Sequence, residues 1–471
     1  MALNSRLAKI ARITAKITGA LIAFVVLFVL ACFILNSFDV PLSPQAKGLL
    51  TPPPNPYPPD ENIYLAMAGL EGGAERPIIE MGQERIEAYN RALDSILLNP
   101  ESALELNKKW DAARLKVAGK VEELGHPRSS SIWTTTKTHR QDIAALLASN
   151  ETLYQRYLSL HRLRGYYETA RPSFMSPVIT LPQSLRTLFL ADIANRIQTG
   201  TPQQQREALN DLQEDLHLWR TVIKGDGTLI SKMLSLAFLH TDVILLADLI
   251  TDPTTDLKSL EGALDPVALP FDLKDYRIGN TFAAEFRGTD SVYKMITAPN
   301  ELTGSMASSN WLKRIGNAFQ AHFFKPNATE NLGAAIAAQR ISLGNSEPGQ
   351  FYVNLEAYRE WLVQNEPRLS PALLYDPIGK ILVKSAASHN DSYYLRAYDV
   401  SAYQRLVYLA YQLKRQHIAT ADVEAVMRAH PEWSTHPVDA KPFRWNAETA
   451  ELAVNTLGEH SKDQRFGVTL R

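Results

Sequence analysis

Residues 229–250 read LISKMLSLAFLHTDVILLADLI, the most apolar run in the body of the chain. At 1.5 Å of rise per residue such a run is long enough to cross a bilayer. Whether it does so decides between a two-span membrane protein and a helical body behind one anchor. Lys232, His240, Asp242 and Asp248 interrupt it, and a charge at mid-bilayer costs some 2–3 kcal/mol or more on insertion scales. The run is therefore expected as a buried central helix of a folded domain. His240 and Asp242 stand at i and i+2, which point apart on a helix. Each is expected as a buried polar group satisfied by a neighbouring helix.

Working toward the N-terminus, residues 17–35 read ITGALIAFVVLFVLACFIL, without a charge. This run is expected to be a transmembrane anchor over 17–36. Arg6, Lys9, Arg12 and Lys16 precede it with no acidic residue, and the positive-inside rule then keeps residues 1–16 as a cytoplasmic basic tail. A cleaved signal peptide would have a shorter apolar core and a small-residue cleavage site. Val29-Leu30-Ala31-Cys32 resembles a lipobox that would acylate Cys32, but the apolar run continues past the cysteine. The expected membrane partner is lipid, through this helix. Residues 37–60 carry a proline cluster from Pro41 to Pro59, which favours an extended polyproline stalk.

The rest reads as helices punctuated by Pro and Gly, an all-α fold with a large multi-helix domain over 61–433. Helices are expected at 79–98, 101–124, 138–168, 279–298, 329–344, 354–365 and 391–416, with a short one opened by Thr420. Thr201-Pro202-Gln203-Gln204 is a helix start, with Thr as N-cap, Pro at N1 and Gln at N3. After Pro431 the pattern changes to short extended runs, and residues 434–471 are expected to form a small β-hairpin module.

Composition excludes some chemistry. Among 471 residues the net charge is −1, so no basic face is implied and nucleic acid is not an expected partner. Cys32 is the single cysteine, which removes disulfides and cysteine-ligated metals from the body. Glu-x-x-His occurs at Glu123/His126 and Glu214/His217. Two such pairs, with two further inward Glu residues, would build a di-metal site. Glu214 and His217 are the better placed pair, and a solvated helix surface is the competing reading. Ser385, Ser388, His389 and Asp391 contain the residue types of a triad, but adjacency does not make one, and Asp391 reads as a first-turn acid. No cofactor is indicated.

Four runs carry a resemblance: Gly227-Thr228-Leu229-Ile230-Ser231-Lys232-Met233, Phe324-Lys325-Pro326-Asn327-Ala328-Thr329, Asp376-Pro377-Ile378-Gly379-Lys380 and Lys441-Pro442-Phe443-Arg444-Trp445. With them the chain resembles a family of single-pass bacterial inner-membrane proteins that have a periplasmic helical domain and no assigned activity. The resemblance implies a Gram-negative envelope and transfers no functional residue. The expected function is that of an interaction or scaffold component that binds an envelope protein partner. The alternative is an envelope enzyme, hydrolase-like or metal-dependent, with a site built from dispersed His, Asp and Glu. Convergence of Glu214, His217, His240 and Asp242 in one pocket would favour the enzyme, and dispersal would favour the binder.

Overall fold

The structure, a computed structural model, describes residues 2–98, 101–112, 114–125, 131–173, 175–177, 179, 181–297, 321–365, 371–387, 391–458 and 465–470, with side chains of the first helix described from Ile13 onward. The first part of the chain forms α1 (Ala2–Leu35), α2 (Pro44–Leu50), α3 (Ile63–Gly69), α4 (Ile78–Leu98), α5 (Glu101–Ala112), α6 (Ile132–Thr136), α7 (Arg140–Ser149) and α8 (Glu151–Leu160). The middle forms α9 (Gln183–Thr199), α10 (Pro202–Lys224), α11 (Leu229–Thr251), α12 (Leu257–Ala268) and α13 (Thr281–Thr297). Then come α14 (Pro326–Gly344), α15 (Phe351–Asn365), α16 (Pro377–Ala387), α17 (Asp391–Arg415), α18 (Val423–Ala429) and α19 (Pro431–Ser434). Strands β1 (Arg444–Asn446), β2 (Glu451–Asn455) and β3 (Arg465–Thr469) close the chain.

The run that opened the sequence reading is α11. It packs on α9, α10 and α17, and Leu239, Leu249 and Ile250 on it have no exposed surface. Burial among helices accounts for its apolar composition. In contrast, α1 stands apart: its hydrophobic span Ile13–Leu35 is only 6% buried, and it is long and apolar enough to cross a membrane. Of the basic residues preceding the uncharged run 17–35, Lys16 is exposed, while the Arg6, Lys9 and Arg12 side chains lie outside the described residues.

Helix α10 starts as expected, with a capping box in which Thr201 and Gln204 exchange side-chain and backbone hydrogen bonds. The β module is a three-stranded antiparallel meander in the order β1-β2-β3, with Leu452 opposite both Trp445 and Val468. Its buried residues Leu452, Val454 and Val468 join the main core cluster.

Two expected long helices are interrupted. The 101–124 helix stops at Ala112, and further on Gly119 takes φ +82° and the Asn150 side chain clamps the Ala118 backbone on both sides, at 2.7 and 3.0 Å. The same asparagine breaks 138–168 into α7 and α8. Beyond α8 the chain is extended, and Asn62 pairs with Tyr167 through both amide atoms. Helices α9, α12 and α16 were not anticipated. Helix α9 is buried on nearly every face, from Leu185 to Ala194 without a break, so it lacks the one-sided apolar stripe by which an amphipathic helix is found.

The stalk expectation also needs correction. Pro44–Leu50 is helical, capped by Ser43. Its Ala46 is fully buried against Phe286, Ala334 and Ala337. Pro44 supplies the preset φ of a first helical turn. Exposed, non-helical backbone remains on either side of this helix, at residues 37–41 and at 51–56 and 58.

Candidate functional site

The expected site residues do not converge. Glu214 and His217 lie on the outer side of α10, His217 being exposed with its ring against Phe271. His240 packs its ring on Tyr403 and Phe466, and Asp242 is fully buried elsewhere on α11. Glu123 pairs with Lys120, and His126 lies outside the described residues, as do Ser388 and His389. Among the described residues no group of three or more His, Cys, Asp or Glu side chains could hold a metal ion. Surface hollows of about 220 Å³ beside Trp433 and about 450 Å³ beside Trp445 contain none of the expected residues.

What the fold does assemble is an ion cluster centred on Arg186, which is 1% exposed. From α9 the guanidinium reaches Asp215 on α10 and Asp242 on α11, and it also donates to the Tyr157 hydroxyl at 2.5 Å and the Phe238 carbonyl at 3.2 Å. Tyr157 in turn donates to Asp215 at 2.5 Å. Trp219 Nε1 donates to Asp215 at 3.0 Å, and His161 Nε2 stands 3.0 Å from it. The faces of Trp219 and Phe238 lie about the guanidinium at 5.3 and 5.2 Å.

The two acids differ. Burial opposes the Asp215 charge, but the Arg186 guanidinium and hydrogen bonds from His161 and Tyr157 outweigh it and hold the carboxyl well below its usual range. Burial, reinforced by the adjacent Asp215 charge, pushes Asp242 well above its usual range despite Arg186. Of the two acids, Asp215 therefore favours its charged form beside the guanidinium and Asp242 its neutral form, which limits the charge that must remain out of water. Chemically it is a sealed lock joining four helices, α8 to α11. Asp242 is met by Arg186 of a neighbouring helix as expected, but only through one carboxyl oxygen, the other being buried without a hydrogen-bond partner. Arg186 was missed because its helix was missed, although an arginine inside Leu185-Arg186-Thr187-Leu188-Phe189-Leu190 was itself a signal.

A second polar assembly sits where α11 begins. One oxygen of Glu168 accepts from the Tyr166 hydroxyl (2.8 Å), the Thr228 N–H (3.0 Å) and hydroxyl (3.2 Å), and the Ser231 hydroxyl (2.5 Å). A Cβ on Gly227 would stand 2.6 Å from that oxygen, so the turn needs glycine. Lys232, buried over the Tyr166 ring, donates to the Val222 carbonyl at 2.6 Å and to the Gly225 carbonyl, capping the end of α10. Burial lowers its pKa to about 8.

The third assembly joins α1 to the body. Just past α1, Asn36 donates to the carbonyls of Cys32 (2.9 Å) and Leu374 (2.6 Å) and accepts from the Asp376 N–H (2.9 Å). Asp376 takes φ 51° and is 1% exposed. Its carboxylate gathers the Lys325 N–H (2.8 Å), the Thr329 hydroxyl (2.8 Å) and the Gly379 N–H (3.2 Å). Asp39 accepts from the Asn327 and Ala328 N–H groups at the start of α14, where an anion suits the helix dipole. Phe33 stacks on His322 and meets Phe323 edge-on. Two of the runs quoted from the sequence, 324–329 and 376–380, therefore meet at one joint. Comparison of the chain with family models, curated proteins and solved structures finds no match.

Proposed function

We propose that this chain is a single-pass inner-membrane protein of a Gram-negative envelope, with its basic tail in the cytoplasm and its helical body in the periplasm. On this reading the body is an interaction or scaffold component that presents its surface to an envelope protein partner. The carrying observation is the joint: Asn36, Asp39 and Asp376 fasten the end of α1 to α14 and α16. A body fastened in this way keeps one orientation to the bilayer, which suits a scaffold better than a free tether would. Dispersal of Glu214, His217, His240 and Asp242 also favours the binder over the enzyme.

Two measurements test the proposal. Alkaline phosphatase and green fluorescent protein fused in turn to the C-terminus should be active and dark, respectively, and the reverse pattern refutes the orientation. In-membrane cross-linking with mass spectrometry should recover a recurrent protein neighbour. Recovery of none, together with hydrolytic activity abolished by substitution of one residue, would move the assignment to the envelope enzyme.

A further inference from the structure

The end of α1 is surrounded by apolar side chains that the body leaves uncovered. Phe38 is 77% exposed and Ile381, on α16, 68% exposed, while Val40 is exposed between them in the chain path. The joint brings these residues to one level. Asn36 binds Leu374 and Asp376 directly, and the Tyr375 hydroxyl contacts both the Val40 N–H (3.1 Å) and Asp39 (3.3 Å). The uncharged run 17–35 spans roughly 29 Å at 1.5 Å per residue, close to a hydrocarbon core of about 30 Å. Asn36 then falls at the edge of the hydrocarbon. Ile381 lies five residues beyond Asp376, at most about 8 Å further by helical rise, against a headgroup layer of some 5–8 Å.

We infer that Phe38, Val40 and Ile381 form a lipid-contacting patch on which the body rests against the bilayer around the emerging helix. The inference rests on the membrane-anchor reading of α1 and extends it from a span to a surface. Continuity with α1 selects lipid as the occupant, because an apolar side chain held at headgroup depth meets acyl chains before any soluble partner. Tyrosine is favoured at this depth, and the Tyr375 hydroxyl sits there against Val40 and Asp39. The neighbouring acids suit such a surface. Asp39 and Asp376 both turn onto backbone N–H donors of the body, and Lys380 folds back on the Ala372 and Tyr375 carbonyls at 2.5 Å.

The test uses the full chain in phosphatidylcholine nanodiscs with Cys32→Ser as background. Single cysteines (Phe38→Cys, Ile381→Cys, Val25→Cys or Val353→Cys) carry an environment-sensitive fluorophore, and quenching is read with lipids bearing a nitroxide near the headgroup or deep in the acyl chain. Val353 is the control, 64% exposed but on α15. Positions 38 and 381 should be quenched by the shallow nitroxide at least about twofold more than position 353, as for side chains held at the acyl–headgroup boundary. If position 25 is quenched by the deep nitroxide while 381 behaves as 353, the patch is refuted and the anchor stands. If position 25 is not quenched either, the anchor reading falls and the patch with it.

Discussion

Asp215 and Asp242 both touch Arg186, yet replacing each by asparagine should have very different consequences. Asp215 is the ionised partner, without exposed surface and bonded also to Tyr157 and Trp219. Asp215→Asn removes that counter-charge and leaves Arg186 only Asp242, whose ionisation burial opposes, so the cost should approach the roughly 3–5 kcal/mol of breaking one side of a buried pair. Burial and the Asp215 charge push the Asp242 carboxyl toward its neutral form, so Asp242→Asn replaces it with a neutral group of the same shape. That change should cost about 1 kcal/mol or less, the scale of one adjusted neutral hydrogen bond. Unfolding entropy of about 2.1 cal/mol/K per residue gives roughly 0.9 kcal/mol/K for a body of this size. The thermal midpoint should then fall by roughly 3–6 °C for Asp215→Asn and by about 1 °C for Asp242→Asn. Differential scanning calorimetry on the full chain in mild detergent measures both. The acid limb adds a check of sign. Asp215 has a depressed folded pKa, so its contribution is present above the unfolded value near about 4 and is lost as pH falls. That loss should persist in Asp242→Asn and vanish in Asp215→Asn. Equal midpoint losses for the two variants would refute the opposite shifts of Asp215 and Asp242.

Other expectations follow from single contacts. Asp376→Ala strands the Lys325, Thr329 and Gly379 donors and should cost about 2–4 kcal/mol. Amide hydrogen exchange should quicken around 36–43 and 321–331 while α9–α11 stay protected, and uniform loss of protection would contradict a local joint. Lys232, with its folded pKa lowered to about 8, binds fewer protons folded than unfolded above that pH, so its contribution to stability rises with pH. Denaturant unfolding of wild type relative to Lys232→Met should show a difference growing by up to about 1.4 kcal/mol per pH unit between about 8 and 10, and a flat difference would count against the shift. In the α3–α4 hairpin a Cβ on Gly82 would stand 1.8 Å from the Leu65 carbonyl oxygen. Gly82→Ala should therefore cost about 1–3 kcal/mol or more through backbone displacement, visible as a lower midpoint, whereas Gly349→Ala, which meets open space, should leave it unchanged.

Local pattern made much of this architecture legible from the residues alone. The uncharged run 17–35, the Thr201–Gln204 capping box and the one-sided stripe of α4 each carry their meaning within a few turns of chain. So do the short extended runs after Pro431. The buried character of α11 was readable too, since its charges make lipid an expensive solvent. Tertiary structure alone decided the remainder. Asn150 breaks a helix because its amide is spent on Ala118, 32 residues away, and α9 is a helix without periodicity because neighbours cover every side of it. Pro44–Leu50 is a docked helix because Ala46 finds a fitting surface on α13 and α14. The ion lock and the joint at the end of α1 likewise unite residues from distant helices. Their partners, charges and proton placement exist only once packing removes water, and no spacing along the chain encodes that.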